Sequence, residues 1–381
     1  MAVILLCLGC SAPHDHDVVL WHSYNGAERA ALEQTAAAWN AEHPDTHLVL
    51  VAVPHDAFAD KISSAVPRGN GPDLFIYAQD RIGDWADAGV IEPIEFWVDD
   101  ARADRFGAQT LGLMAYRGSL WGMPLALKSL ALFYRSDLVA TPPRTTADLR
   151  PRRDGAFAIA FANPDLYSFA PWLHGFGGRV VDDQGELAIA SPEAARAMDS
   201  VRALIDGKLA PRNEENSGIA TLFNAGKTAT AVQGPWFIPD IASDVPWHVA
   251  PLPIIAETGK PAMPFLGAEA ILMSARAHDK DAAFAVMDAL TSDASALVRA
   301  KARQVVANPR AYDDPVVAAD PVLSAFREQA ARSVPMSNEP AMRMVWNPYR
   351  TALDNVVSGH ADARAQLESL EDQVRGYAEH R

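Results

Sequence analysis

The sequence predicts an α/β protein of two domains, and three observations carry that expectation. A chain of 381 residues is too long for one compact core and fits two of ordinary size. From Val18 to Tyr77, apolar runs and helical periodicities alternate in the order β-α-β-α-β, which implies a parallel sheet. Helical patterns and short strands keep alternating toward the C-terminus, with no internal repeat and no low-complexity segment.

Val18 to Trp21 is a compact apolar strand, Gly26 to His43 places Leu32, Ala36 and Trp39 at helical spacing, and His47 to Val53 is a second strand. Ala57 to Val66 reads as a short helix, and Asp73 to Tyr77, after Gly71-Pro72, as a third buried strand. Met123 to Tyr134 is extended but interrupted at Lys128-Ser129, either one strand or a crossing between domains. Helices are expected at Pro192 to Ile205, Ile219 to Ala225, Asp279 to Leu290, Pro321 to Ala331 and Ala361 to Tyr377. Strands are expected at Thr228 to Val232, His248 to Pro251 and Ala270 to Met273. In open α/β sheets ligands gather at the carboxyl ends of strands, which here carry His22-Ser23-Tyr24-Asn25 and Tyr77-Ala78-Gln79-Asp80-Arg81.

Composition excludes several functions. Hydrophobic residues make up 49% and charged residues 21%, the balance of a folded body. A net charge of -15, with Arg and Lys scattered singly, repels phosphate backbones and argues against a nucleic-acid partner. Both cysteines, Cys7 and Cys10, precede the folded body, which therefore holds neither a disulfide nor a cysteine metal site. The run MAVILLCLGC ends in Leu8-Gly9-Cys10 before a polar stretch, as the h-region and cleavage box of a lipoprotein signal do. Cys10 is then the lipidated residue and residues 11–17 a tether; an ordinary cleaved secretory signal is the alternative. No later segment approaches the ~20 consecutive apolar residues of a membrane-spanning helix.

Several catalytic and cofactor motifs fail on inspection. Gly226-Lys227-Thr228 has Thr221 where a phosphate-binding loop needs its first glycine, and Gly175-Phe176-Gly177-Gly178 lacks the third glycine of a dinucleotide fingerprint. No His-Glu-x-x-His and no Gly-x-Ser-x-Gly occurs, and nothing near His14 and His16 completes a tetrahedral metal set. No metal and no cofactor is expected.

What remains is a set of aromatic residues beside planar polar ones: Tyr77 with Asp80 and Arg81, Asp165 with Tyr167, Gly234-Pro235-Trp236, and Trp346 with Arg350 one helical turn on. A pyranose ring stacks its C–H faces on aromatics and satisfies its hydroxyls with carboxylate, guanidinium and amide groups, so the combination points to a sugar. Each residue also has a plain reading. A Trp in a helical stretch packs in cores, and Asp80 reads equally as the N-cap of a helix from Arg81 to Ala88.

From about Val18 to Tyr377 the chain resembles the maltose/maltodextrin-binding branch of the family 1 extracellular solute-binding proteins. GPDLFIYAQDRIGDWADAG, residues 71–89, resembles that branch's Gly-Pro-Asp strand and the loop whose aromatic, Asp and Arg touch sugar, here Tyr77, Asp80 and Arg81; Tyr77 stands where Trp is usual. Asp165 and Tyr167 in FANPDLYSFAPW resemble the acid and aromatic of the second lobe, the acid one methylene shorter, with Gly177-Gly178 at the turn beyond them. FNAGKTATAVQGPW, residues 223–236, resembles the Phe-Asn-x-Gly-Lys helix end and the Gly-Pro-Trp strand end, which makes Trp236 a stacking residue. Trp346 and Arg350 in MVWNPYRTALDNVVSG resemble the Trp and Arg of the late helix. Lys128, in PLALKSLALFYRSDL, stands where the branch carries a Glu that accepts sugar hydroxyl protons, a role that a group with donors alone cannot fill; a solvated hinge lysine is its other reading. Ser23, Asn25 and Glu28 lie near the branch's Asn-Gly-Asp-Lys loop, which has no clean counterpart here.

The resemblance implies a two-lobed periplasmic binding protein fold of type II, each lobe a mostly parallel sheet flanked by helices, with crossings near Lys128, Gly267 and Pro321. It divides the chain into a first lobe, 18–127 with 268–318, and a second, 128–267 with 319–381. It also implies a monomer outside the cytoplasm, anchored through Cys10, that closes on an oligosaccharide and delivers it to the permease subunits of an ABC importer without catalysis. Two rival readings are a glycoside hydrolase using Asp80 and Asp165, and a binding protein that signals to a membrane receptor.

Overall fold

The computed structural model describes residues 17–379 except 152–154, 183 and 213. The signal with Cys7 and Cys10, and the tether through His14 and His16, lie outside the described residues.

The N-terminal segments β1 (Val18–His22), α1 (Gly26–Glu42), β2 (Leu48–Ala52), α2 (His55–Ala65) and β3 (Leu74–Ala78) build the first sheet and its cover. VVLWH, LVLVA and LFIYA are apolar and rich in β-branched residues, and they pair in parallel, Val18 with Leu48 and Leu20 with Leu74. A 3-10 turn at Gln79–Arg81 leads into α3 (Ile82–Asp87). Asp80 thus lies inside a turn and is not an N-cap; Arg81 precedes α3, and no side chain caps it. Next come α4 (Asp100–Ala103), α5 (Ala108–Gly112) and the hairpin of β4 (Ala115–Tyr116) and β5 (Ser119–Leu120).

The extended stretch from Met123 is a crossing between sheets. β6 (Gly122–Lys128) lies in the first sheet and β7 (Ala131–Arg135) in the second, which is ordered β10-β7-β9-β8 from β8 (Phe157–Ala160), β9 (Thr228–Gln233) and β10 (Trp247–Ala250). Between these strands run α6 (Leu166–Phe176), α7 (Pro192–Asp206) and α8 (Asn216–Asn224). Asp165 caps α6 by accepting the Ser168 N–H at 3.0 Å, and Ser191 caps α7 ahead of Pro192. Sequence patterning does not predict α6, because Pro171 sits inside it.

The sheets are more mixed than the expected mostly parallel arrangement. β11 (Phe265–Met273) runs antiparallel to both β3 and β6, and in the second sheet only β8 and β9 are parallel. β7 and β11 enter their sheets directly from the other lobe, so no helical crossover obliges them to run parallel.

The remaining elements are α9 (Lys280–Leu290), α10 (Asp293–Lys301), α11 (Pro315–Ala318), α12 (Pro321–Ala330), β12 (Val334–Pro335), α13 (Pro340–Met344), α14 (Trp346–Val357) and α15 (Ala363–Glu379). Apolar cores cover both faces of each sheet. On the first, Leu32 of α1 and Phe284 of α9 join Leu20 and Ile76 on one side, while Phe58, Ile62 and Trp85 join Phe75 and Leu272 on the other. On the second, Leu173, Val201, Tyr349 and Leu367 join Ile159 and Val232, and Phe223, Phe237 and Phe326 join Phe133 and Ala231 opposite. Ala296 and Ala300 of α10 and Val317 of α11, implied for the first lobe, belong to this last cluster as well.

α12 already packs on β7 and β10 of the second sheet, and after it the segment 333–336 runs back along β11 through β12. There the Val334 N–H donates to the Pro264 carbonyl, the Met336 N–H donates to that of Leu266, and the Ser129 and Ser333 hydroxyls meet at 2.9 Å. The strap then docks on the first lobe: Asn338 Nδ2 donates to the carbonyls of Leu113 and Ala115, and a Cβ on Gly83 would fall 2.1 Å from the Asn338 carbonyl oxygen. Gly83→Ala is expected to cost about 1–3 kcal/mol by overpacking. Gly112→Ala, with open space at its Cβ, is the control, and thermal melts of the two variants check the difference.

Candidate functional site

The site lies where the carboxyl ends of β1, β3 and β6 face α6, α14 and the turn after β9. On the first-lobe side, the Tyr77 ring rests against His55 and Phe58, centroids 5.7 and 5.4 Å away, which leaves it half-buried. Asp80 meets Arg343 Nη1 at 3.5 Å, and Arg343 Nε lies 3.4 Å from Asp84, so an α13 cation bridges to the first lobe. Burial pushes the Asp80 carboxyl above its ordinary range, while Arg343, Arg81 and Lys128 pull it back.

Lys128 is not a freely solvated hinge lysine. Its Nζ lies 2.6 Å from Glu269 Oε1, and the Tyr24 hydroxyl donates to Glu269 Oε2 at 2.8 Å. Burial opposes the Lys128 charge, yet the neighbouring Glu269, Glu28 and Asp80 carboxylates outweigh it and raise its pKa. Glu28, in the first turn of α1, accepts from Gln304 Nε2 at 3.4 Å. Ser23 and Asn25 bond locally, Asn25 Nδ2 donating to the Ser23 carbonyl, and Tyr24 between them is the residue that turns toward Glu269.

The second lobe supplies aromatic faces. Tyr167 lies 6.1 Å from Trp236 and 6.2 Å from Phe265, and Phe265 lies 6.3 Å from Trp346, centroid to centroid. Trp236 is 42% exposed, its indole Nε1 donating to Gln233, and its ring lies where a Cβ on Gly234 would be, 2.2 Å away. This is why glycine precedes Pro235-Trp236. Trp346 is half-buried and Arg350 exposed, with Arg350 Nη2 on Glu215 Oε1 at 2.6 Å. Neither tryptophan is sealed in dry core.

Burial raises the Asp165 carboxyl, opposed by the Ser168 N–H and then by Arg350. Burial likewise raises the Tyr167 phenol, and the Asp165 and Asp80 charges add to the effect, so a first-lobe acid acts on a second-lobe aromatic. Charge interactions link Asp80, Arg81, Lys128 and Glu28, ring contacts and the Arg350 charge link Asp165, Tyr167, Trp236, Trp346 and Arg350, and the two sets meet through Asp80 and Tyr167, which makes them one candidate lining. Such a lining can hold a polyhydroxylated ring by stacking and by charge-assisted hydrogen bonds. Among the described residues, no group of three or more His, Cys, Asp or Glu is placed to hold a metal, and no helix is long and apolar enough to cross a membrane.

Sequence reasoning missed Glu269, Arg343, Phe265 and Tyr24. Glu269 carries a visible signal, a lone acid in the apolar strand FLGAEAILM. Arg343 carries little, since its relation to Asp80 arises from the docking of α13.

Burial, then repulsion from Glu269, raises the Glu28 carboxyl from 4.5 to about 7, against the pull of Lys128 and Gln304. The folded chain holds this proton more tightly than the unfolded one, so the contribution to stability is complete below pH 4.5 and is lost as pH rises through about 7. Glu28→Gln is expected to flatten that decline in melts taken between about pH 5 and pH 8; an unchanged profile would show that Glu28 does not cause it.

Residues 25–297 match the family described as bacterial extracellular solute-binding protein. The maltotriose-binding protein of Pyrococcus abyssi is 28% identical over 374 residues, covering 94% of this chain and 81% of that protein. The maltooligosaccharide ABC transporter solute-binding lipoprotein of Streptococcus pneumoniae is 26% identical over 326 residues, covering 80% and 76%. A cyclo/maltodextrin-binding protein solved in complex with maltotetraose superimposes with a TM-score of 0.87 at 26% identity, covering 96% of this chain and 98% of that one. The match over most of the chain and the two sheets flanked by helices agree, and the chain belongs to the bacterial extracellular solute-binding proteins.

Proposed function

We propose that this protein captures an oligosaccharide of the maltodextrin type between its lobes and delivers it, as a monomer, to the permease subunits of an ABC importer. The observation that carries the reading is that Tyr167, packed with Trp236 in the second lobe, lies within reach of the Asp80 charge of the first, with the Lys128–Glu269 pair at the crossing between them. The likeness to the maltotriose-binding protein of Pyrococcus abyssi and to the maltooligosaccharide ABC transporter lipoprotein of Streptococcus pneumoniae supports the ligand class and the transporter. The lobes are taken as 18–127 with 268–318 and 128–267 with 319–381, the segment 293–318 being shared by packing. Closure about the three crossings brings both linings onto the ligand, and binding favours the closed form because only that form offers every contact.

The carboxylates serve binding rather than hydrolysis in this reading. Asp165 spends one oxygen capping α6, and Asp80 faces Arg343, so neither stands alone as an acid or base. Anchoring through a lipidated Cys10 is part of the proposal, supported by the name of the Streptococcus pneumoniae relative. If it holds, Cys10→Ser moves the protein from the detergent phase to the aqueous phase on cloud-point extraction; unaltered partitioning speaks against the anchor.

Titrating the protein with maltose, maltotriose, maltotetraose and cyclodextrins, read by tryptophan fluorescence and calorimetry, tests the ligand class. Saturable binding is expected, weakened roughly tenfold or more by Trp236→Ala, as for a central aromatic anchor. Silence across the panel, or shortened products after incubation, would contradict the reading.

A further inference from the structure

We propose that Lys128 and Glu269 act as one preorganised donor–acceptor unit that binds a vicinal diol of the ligand, and that this unit, rather than either residue alone, sets which sugar is accepted. The inference rests on the oligosaccharide reading above and names a subsite within that cleft.

Backbone geometry builds the unit. Lys128 closes β6 directly opposite Gly267 of β11, so no side chain crowds it, and Glu269 lies two residues further along the same strand face. The register between β6 and β11 shifts between Glu269 and Ala270, opposite Pro124, which cannot donate to the ladder. The extra residue is Leu125 of β6, next to the Ala126–Glu269 pair. Glu269 Oε1 takes Lys128 Nζ and Oε2 takes the Tyr24 hydroxyl, so the carboxylate is gripped at both oxygens.

Capacity is left over on both partners. A carboxylate offers about four lone-pair sites and an ammonium three N–H donors, of which the contacts above use a part. The Lys128 side chain is 33% exposed and that of Glu269 13%, so both reach the cleft surface. Adjacent hydroxyls on a sugar present a donor and an acceptor about 3 Å apart, which matches an acceptor oxygen beside a donor nitrogen. The Lys128 charge also acts on Asp80 and Tyr77, so the unit lies near both of those candidate residues.

The same pairing explains how a cation can occupy a ligand position that calls for an acceptor. Glu269 supplies the acceptor from the neighbouring strand, and Lys128 fixes its direction.

Calorimetric titration of maltotriose into the wild type, Glu269→Gln, Lys128→Met and the double variant tests the proposal, with thermal melts run alongside. Each single change is expected to weaken binding about tenfold or more. The double variant is expected to bind within about threefold of the weaker single, because losing one member already breaks the unit. A maltotriose analogue lacking one diol hydroxyl should lose affinity for the wild type but not for the double variant. Lys128→Arg, which keeps a cation beside Glu269, is expected to melt like the wild type while losing that discrimination. Single variants with wild-type affinity, additive losses, or unchanged discrimination in Lys128→Arg would each overturn the diol unit and leave the sugar-binding reading standing. A wild type that binds neither maltotriose nor maltotetraose would overturn both.

Discussion

Two strands lying side by side, β6 and β11, carry the chain from one lobe toward the other, and the cleft hangs from their ladder. β11 begins with Phe265 among the second-lobe aromatics and four residues later presents Glu269 to Lys128 of β6. Hinge and cleft floor are therefore one piece of backbone. In the proposed closure, rotation about the crossings would move the aromatic end of β11 against its acidic end, so closure and ligand contact would share a single mechanical element. β12 returns to the same place, the Val334 and Met336 N–H groups donating to the Pro264 and Leu266 carbonyls.

Most of the charged lining is paired. Asp80 has Arg343, Glu269 has Lys128 and Tyr24, Asp165 has the start of α6, and Arg350 has Glu215. Half-buried charges without partners would be costly and would collapse onto one another or change protonation. Paired charges with spare lone pairs and N–H groups instead hold their geometry while offering hydroxyl-sized gaps. Burial is the leading cause that raises the Asp80, Asp165 and Glu28 carboxyls. A neutral polyhydroxylated ligand adds hydrogen bonds there without adding charge.

The first strands and their parallel order are legible because local patterning decides them: VVLWH, LVLVA and LFIYA need no distant partner to declare themselves. Trp236 is legible for a similar reason, since the glycine before Pro235 is the space its ring requires. Asp80 is legible as a residue but not in its role, because a capping position and a cleft position share one local sequence. Glu269 and Arg343 depend on strand register, a bulge and the docking of α13, none of which short-range spacing encodes. The direction of β7 and β11 escapes for the same reason: it follows from where the chain crosses between lobes, and Lys128-Ser129 reads as an interruption until its neighbours are known.

The claim beneath all of this is that one ligand is held by both lobes at once. Solving the structure of the maltotriose complex tests it most directly. The expected result is a sugar whose rings lie on Trp236 and Trp346 while its hydroxyls reach Asp80 and the Lys128–Glu269 pair; a sugar bound to one lobe, with the other standing clear of it, would contradict the claim.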